Sequence, residues 1–217
     1  MLMMGLKQFG ATVVFIATSL ALAISGVVFI SPHIYRLAIG WFNLTDISGL
    51  TSGQLIENYE VVMEYLIHPN IKELNMLHFS ASEGGLQHFA EVKFLFMMIF
   101  MLALVGFILS VLLIMWLRNT KQQVWMGRWF WLAITFPLVI LFVMVIAFDK
   151  VFLIFHQILF RNDLWLFNPI TDPIITVLPE GLFMVLFVGA ILLYELIIYL
   201  MRFAVMYKKK PKRRVRR

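Results

Sequence analysis

A chain of 217 residues that is 62% hydrophobic and 15% aromatic, with a mean hydropathy of +0.90, is too apolar for a soluble core and reads as an integral membrane protein. Its formal charge of +6 comes almost wholly from the C-terminal run 208–217, which marks topology and attraction to anionic lipid rather than nucleic-acid binding. The absence of cysteine excludes thiol catalysis, disulfide staples and cysteine–zinc sites.

The first apolar stretch, about 9–30, follows Lys7 and has signal-like small residues near Ala21–Gly26; it is expected to remain as an uncleaved first span. Three further stretches of bilayer length cover about 94–117, 129–148 and 181–201. Each approaches the ~20 helical residues that cross ~30 Å of hydrocarbon. Residues 31–93 form an outer segment too short to fold alone without disulfides or metal, so it should rest on the span ends as a cap. Within it, Thr51-Ser52-Gly53 caps a predicted helix ending at about Ile67. Its apolar face carries Leu55, Ile56, Tyr59, Val62, Met63 and Leu66; Glu57, Asn58, Glu60 and Glu64 take the other face, and Pro69-Asn70 ends it. Ser80 or Ser82 then starts a helix that runs through His88 into the second span.

After the third span, 149–180 forms a second outer segment. Its stretch Val151–Phe160, VFLIFHQILF, is expected to extend the third-span helix along the membrane interface. Arg161-Asn162-Asp163, the aromatic turns at Trp165 and Phe167, and prolines 169, 173 and 179 follow, in a loop too apolar to be free linker. The basic tail and the turn 118–128, with three cations and no acid, place both termini in the cytoplasm. Eleven of the twelve acids and all five histidines then fall outside, leaving only Glu195 within a span.

That sorting directs the search for chemistry to the outer face. His88 is followed by Glu91 one helical turn on, which can orient its imidazole. His156 is an isolated histidine in an apolar helix and needs a partner. His33 reads as interfacial, His68 as helix-ending, and His78 as part of the apolar strand-like stretch NMLHF. Ser80 and Ser82 are expected as helix caps, with no G-x-S-x-G elbow present. No HExxH motif and no histidine pair at i,i+4 is present, so neither metal nor cofactor is expected. Glu195 is expected near the cytoplasmic end of its span, hydrogen-bonded or snorkelling. Tyr35, Trp41, Tyr59, Phe79, Phe89, Phe155, Trp165 and Phe167 are candidates to wall a pocket, with interfacial packing the plainer role for most.

The stretch FHQILFRNDLWLFNPITDPIITVLPEGLF, together with HFAEV and NYxxVMxYL, resembles the Lit family, the bacterial lipoprotein intramolecular transacylases. The motifs lie in residues 55–95 and 151–183, and the spans are similar in pattern. Glu91 departs from an aspartate associated with the family; either carboxylate suits the position. The resemblance implies an all-α integral membrane enzyme with four spans and an extracellular cap. It implies transfer of the sn-2 acyl chain from the diacylglyceryl group on a lipoprotein's N-terminal cysteine to that cysteine's α-amine. It also implies that His88 and His156 carry the reaction; Glu91, Tyr59, Asn162, Trp165 and Asp172 are expected to support them. A diacylated lipoprotein is then the substrate, membrane lipid the surroundings, and the chain a monomer in the bacterial cell membrane. Two other classes stay open: a different membrane lipid acyltransferase or hydrolase, and a non-enzymatic assembly or transporter subunit. Against a transporter, no span has a Gly/Pro interruption paired at mid-depth.

Overall fold

Every regular element is helical among the described residues: α1 (Leu2–Trp41), α2 (Leu44–Ser48), α3 (Ser52–Ile67), α4 (Glu83–Thr120), α5 (Met126–Ile146), α6 (Phe148–Leu159) and α7 (Glu180–Met206), with a 3-10 helix at Pro173–Val177. The structure is a computed structural model that describes the backbone of residues 2–120 and 126–206 and the side chains of residues 9–118 and 130–206. Lys121 and the basic tail 208–217 lie outside the described residues.

Three helices, Phe9–Trp41, Glu83–Arg118 and Glu180–Met206, are long and apolar enough to cross a membrane. A fourth crossing is available if the bent pair Phe130–Ile146 and Phe148–Leu159 is taken as one span. Helix α1 is the centre of the bundle. It packs against α3, α4, α5 and α7, and 44% of its most apolar stretch is buried against 17% for α4 and for α7. Its small and polar residues make this approach possible. A Cβ at Gly106 of α4 would stand 2.4 Å from Thr18 Oγ1, so only glycine permits the observed spacing. One turn on, Ser110 donates to Thr18 Oγ1 at 3.2 Å, the kind of small-residue contact that joins helices in lipid.

Two prolines sit inside the spans without stopping them. Each removes the N–H that would bond the carbonyl four residues earlier. Pro32 leaves the Val28 carbonyl open, and the Ser31 hydroxyl donates to it at 2.8 Å. Pro137 leaves the Ala133 carbonyl open, and Tyr194 of α7 donates to it at 3.0 Å. With these groups satisfied, α1 runs on past the expected boundary at residue 30 to Trp41. At ~1.5 Å per residue it is about twice as long as the hydrocarbon layer is thick.

The expected extension of the third span does not occur. The chain breaks at Ala147, and α6 leaves α5 at 115°. The charged pair Asp149-Lys150 ends the apolar run there, and Asp149 lies in the first turn of α6, where the helix dipole favours it. The bend gives α6 two distinct faces: Phe148 and His156 are buried, whereas Leu153, Ile154 and Ile158 are exposed.

Helix α3 covers one end of α1 and α4. Thr51 and Gln54 form its capping box, the Gln54 N–H donating to Thr51 Oγ1 at 3.3 Å and the Thr51 N–H to Gln54 Oε1 at 2.9 Å. Leu55, Tyr59, Val62, Met63 and Leu66 are buried, as the periodicity predicts. Asn58 is not on the polar face with the glutamates. It is buried and accepts the backbone N–H groups of Leu77 and His78 at 3.1 and 3.0 Å, which pins the following loop to α3.

Candidate active site

His88 lies in the second turn of α4, and the start of that helix is firmly held. Ser82 caps it, its hydroxyl accepting the Gly85 N–H at 3.0 Å. Asp172, from the segment after α6, accepts the Ser82 N–H at 2.7 Å through Oδ1 and the Thr171 hydroxyl at 2.7 Å through Oδ2. Burial alone would raise the Asp172 carboxyl; the hydrogen bonds from Thr171 and Ser82 outweigh it and hold the group below the ordinary carboxylate range. The fit is close enough that a Cβ at Gly85 would fall 2.2 Å from Asp172 Oδ1. His88 is buried, with Phe160 and Phe167 meeting its ring edge-on at centroid distances of 4.7 and 5.5 Å.

His156 lies on the inner face of α6. Its Nδ1 is 2.8 Å from the Phe152 carbonyl oxygen, so Nδ1 carries the proton in the neutral ring and Nε2 keeps the lone pair. Trp165 stacks on the imidazole at 4.8 Å and Phe152 packs against it at 4.2 Å. The two imidazoles, 68 residues apart in the chain, come to a centroid distance of 6.2 Å, with Phe160 packed against both.

The expected orientation of His88 by Glu91 is not what the structure contains. Glu91 Oε1 instead accepts from Asn162 Nδ2 at 2.8 Å. Asn162 in turn accepts the Leu164 N–H at Oδ1 and the Trp165 indole N–H at its carbonyl, at 3.1 and 2.9 Å. A polar chain therefore runs from α4 through Glu91, Asn162 and Trp165 to the face of His156. Glu91 Oε2 and His88 Nδ1 are both buried without a hydrogen-bond partner. The physical reason is competition: the Asn162 amide is a geometrically fixed donor, and it has taken the carboxyl group.

Of the predicted site residues, His88, His156, Glu91, Asn162 and Trp165 are brought into one cluster, and Asp172 is the clamp beneath it. Tyr59 is placed elsewhere. It stacks on Tyr35 at 4.0 Å in the interface between α1 and α3, and burial raises its phenol to about 12. No ring contact or hydrogen bond described here joins it to either histidine. Among the proposed wall residues, Phe89, Phe155, Trp165 and Phe167 do border the histidines, while Trp41 is exposed. Phe152 and Phe160 were not singled out by sequence reasoning. Their signal was the i−4 and i+4 spacing about His156, although Phe160 itself is the extended C-cap residue just past α6. His33 and His68 are exposed, and His78 pairs with the exposed side chain of Glu57 at 3.6 Å. Glu195 is half-buried, and its Oε1 is buried without a partner.

Two neighbouring imidazoles, one with a fixed tautomer, in an enclosure of aromatic rings are equipped for proton transfer to and from one bound group. Among the described residues no three His, Asp or Glu side chains converge as a metal-binding group would require.

The sequence matches the family described as "Lipoprotein intramolecular transacylase Lit" over residues 9–183. The fold is similar to that of the membrane-integral lipoprotein intramolecular transacylase Lit from Bacillus cereus, with a TM-score of 0.83, 27% identity and 92% of each chain covered. Structures of two variants of that protein, with one histidine replaced by arginine or by alanine, match with TM-scores of 0.73 and 0.67 at 26% identity. They cover 93% of this chain, and 93% and 94% of their own. No curated protein matches the sequence significantly.

Proposed function

Because this chain belongs to the Lit family of lipoprotein intramolecular transacylases, we propose that its His88 and His156 carry the transfer of an acyl chain within a diacylated lipoprotein. The chain moves from the sn-2 glyceryl oxygen to the α-amine of the N-terminal cysteine. The product is the lyso form, with an N-acyl group and one remaining glyceryl ester. The observation that carries this reading is the convergence of the two buried imidazoles at 6.2 Å.

An α-amine has a pKa of about 8 and is mostly protonated at neutral pH, so it needs a base before it can attack. His156 fits that role, since Nδ1–H is committed to the Phe152 carbonyl and Nε2 is left as acceptor. The freed amine bonds to the ester carbonyl carbon, and the bond from that carbon to the glyceryl oxygen breaks. Of the ammonium protons, one stays on the amide nitrogen, one reaches the glyceryl oxygen through an imidazole, and one leaves to solvent. His88 supplies the second donor, toward the oxyanion or the leaving oxygen. No enzyme nucleophile is required, in keeping with a chain that lacks cysteine. Amine and ester belong to one molecule, so alignment alone contributes much; well-oriented groups reach effective molarities of ~10⁵ M or more. Aromatic walls serve this by excluding water, which would otherwise take the acyl group.

The site acts on the extracellular face of the bacterial cell membrane. The basic tail and the acid-rich outer segments support that orientation. The exposed apolar residues Ile154, Ile158, Leu166 and Ile170 support a position of α6 and the following loop against lipid, where a lipid-anchored substrate resides. The enzyme works as a monomer and needs no metal or other cofactor.

Intramolecular transfer yields an isomer, so mass spectrometry of a diacylated lipopeptide treated with the pure protein should show unchanged mass. Fragment ions should move the acyl chain to the N-terminal residue, and the amine should become unreactive. A mixture of lipopeptides with differently labelled acyl chains should give no crossed product. Free fatty acid would indicate a hydrolase, and crossed product an acyl-enzyme or an intermolecular transferase; either result removes this reading.

A further inference from the structure

Both partnerless buried atoms of the site belong to α4: His88 Nδ1 and Glu91 Oε2. They stand at i and i+3, on one face of the helix with Cβ atoms ~5–6 Å apart. Buried polar atoms are normally paired, and an unpaired one costs stability unless a ligand or water completes it. Glu91 is held in place. Asn162 Nδ2 grips Oε1 at 2.8 Å, and Asn162 is itself fixed by the Leu164 N–H and the Trp165 indole. One carboxyl oxygen is thus occupied and the other is left open.

We propose that Glu91 Oε2 and His88 Nδ1 together form a receptor for a primary amine, which in the reaction above is the substrate's N-terminal amine. The inference rests on that reading for the identity of the amine, and it adds a binding role for Glu91. One amine has N–H bonds enough for both acceptors at once; an ester has none and a hydroxyl only one. With Nδ1 accepting, the neutral His88 ring carries its proton on Nε2. A further N–H of the ammonium is then the one surrendered to His156. Glu91 touches the substrate in this arrangement and takes no proton, so its removal should weaken binding of the amine rather than abolish proton transfer.

The test uses lipopeptides with ether links in place of both esters, which bind without reacting. One carries the α-amine and its twin has hydrogen in that place. Binding to the full-length protein in nanodiscs is compared for wild type, Glu91→Gln and Glu91→Asp. Wild type should hold the amine-bearing ligand tighter by about tenfold or more, as a hydrogen bond to a charged group allows. Glu91→Gln should remove most of that preference, and Glu91→Asp should keep part of it. With the ester substrate, Glu91→Gln should raise KM more than it lowers kcat. A wild type without amine preference, as expected if water merely fills the two acceptors, would overturn the proposal and needs no variant. An unchanged preference in Glu91→Gln would do the same. If wild type prefers the amine but fails to convert the diester lipopeptide, the reading of the reaction falls and the amine receptor stands.

Discussion

Asp172 and Ser82 are joined by a 2.7 Å hydrogen bond across 90 residues of sequence, and this contact ties the segment after α6 to the first turn of α4. His88 lies in the second turn of that helix, while Phe160 and Phe167, which enclose its ring, lie in the segment Asp172 anchors. The clamp therefore sets how the two halves of the site face each other.

Gly85→Ala tests the clamp directly. Its Cβ would fall 2.2 Å from Asp172 Oδ1, so one of the two segments must move. Overpacking of this kind costs ~1–3 kcal/mol. Turnover should drop at least tenfold while both histidines remain in the sequence. Gly84→Ala is the control, since its Cβ would meet only the Leu164 side chain, at 3.3 Å, and the Ser82 hydroxyl, at 3.8 Å. Equal activity in the two variants would show that the clamp does not position the site.

Acid should release the same contact. The folded Asp172 carboxyl is held below its ordinary range, so its contribution is present above the unfolded pKa of ~3.9 and is lost as pH falls through the lower folded value. Thermal stability should be insensitive to this group from pH 7 down to about 5 and should decline below about 4. In Asp172→Asn that acid-dependent loss should shrink. A decline of the same size in Asp172→Asn would assign it to other carboxylates.

His88→Ala and His156→Ala should each lower turnover by ~10²–10⁴-fold, the usual contribution of one positioned acid–base group. Both proteins should still extract and migrate as wild type, with some residual activity from alignment alone. His68→Ala should be near neutral, because that residue is an exposed helix C-cap whose backbone N–H makes the capping bond to Glu64. Full activity in His156→Ala would eliminate it as the base.

Tyr194→Phe removes the donor that satisfies the Ala133 carbonyl beside Pro137. In a bilayer such a bond is worth ~0.6–2 kcal/mol, so the thermal midpoint should fall by a few degrees. Pro137→Ala restores a backbone N–H for that carbonyl. In the Pro137→Ala background the cost of Tyr194→Phe should be smaller, and a double-mutant cycle in thermal stability measures the difference. Additive costs would mean the two residues act independently.

Cysteines introduced at Ser52 and Lys121 of this cysteine-free chain should be labelled by impermeant reagents from outside and from inside the cell, respectively. The opposite pattern would put the histidine cluster on the cytoplasmic face, away from an exported substrate.

Much of this protein could be read from one dimension because the signals are local. Bilayer length fixes which stretches are apolar, a capping box marks the start of α3 at Thr51, and a serine at 80 or 82 announces α4, with Ser82 the one that caps it. The motifs around His88 and His156 pointed to the family and to both candidate histidines. Other features depend on partners distant in sequence, and only the tertiary structure decided them. The prolines within α1 and α5 do not end those helices, because Ser31 and Tyr194 take up the carbonyls they leave. The helix after the third apolar stretch turns by 115° rather than continuing, since charged residues follow Ala147 and the buried face of α6 packs inward. Glu91 could be placed within one turn of His88 by counting, yet a carboxyl group pairs with whichever donor is fixed nearby. That donor, Asn162, is 71 residues away in the chain, and only the fold brings it there.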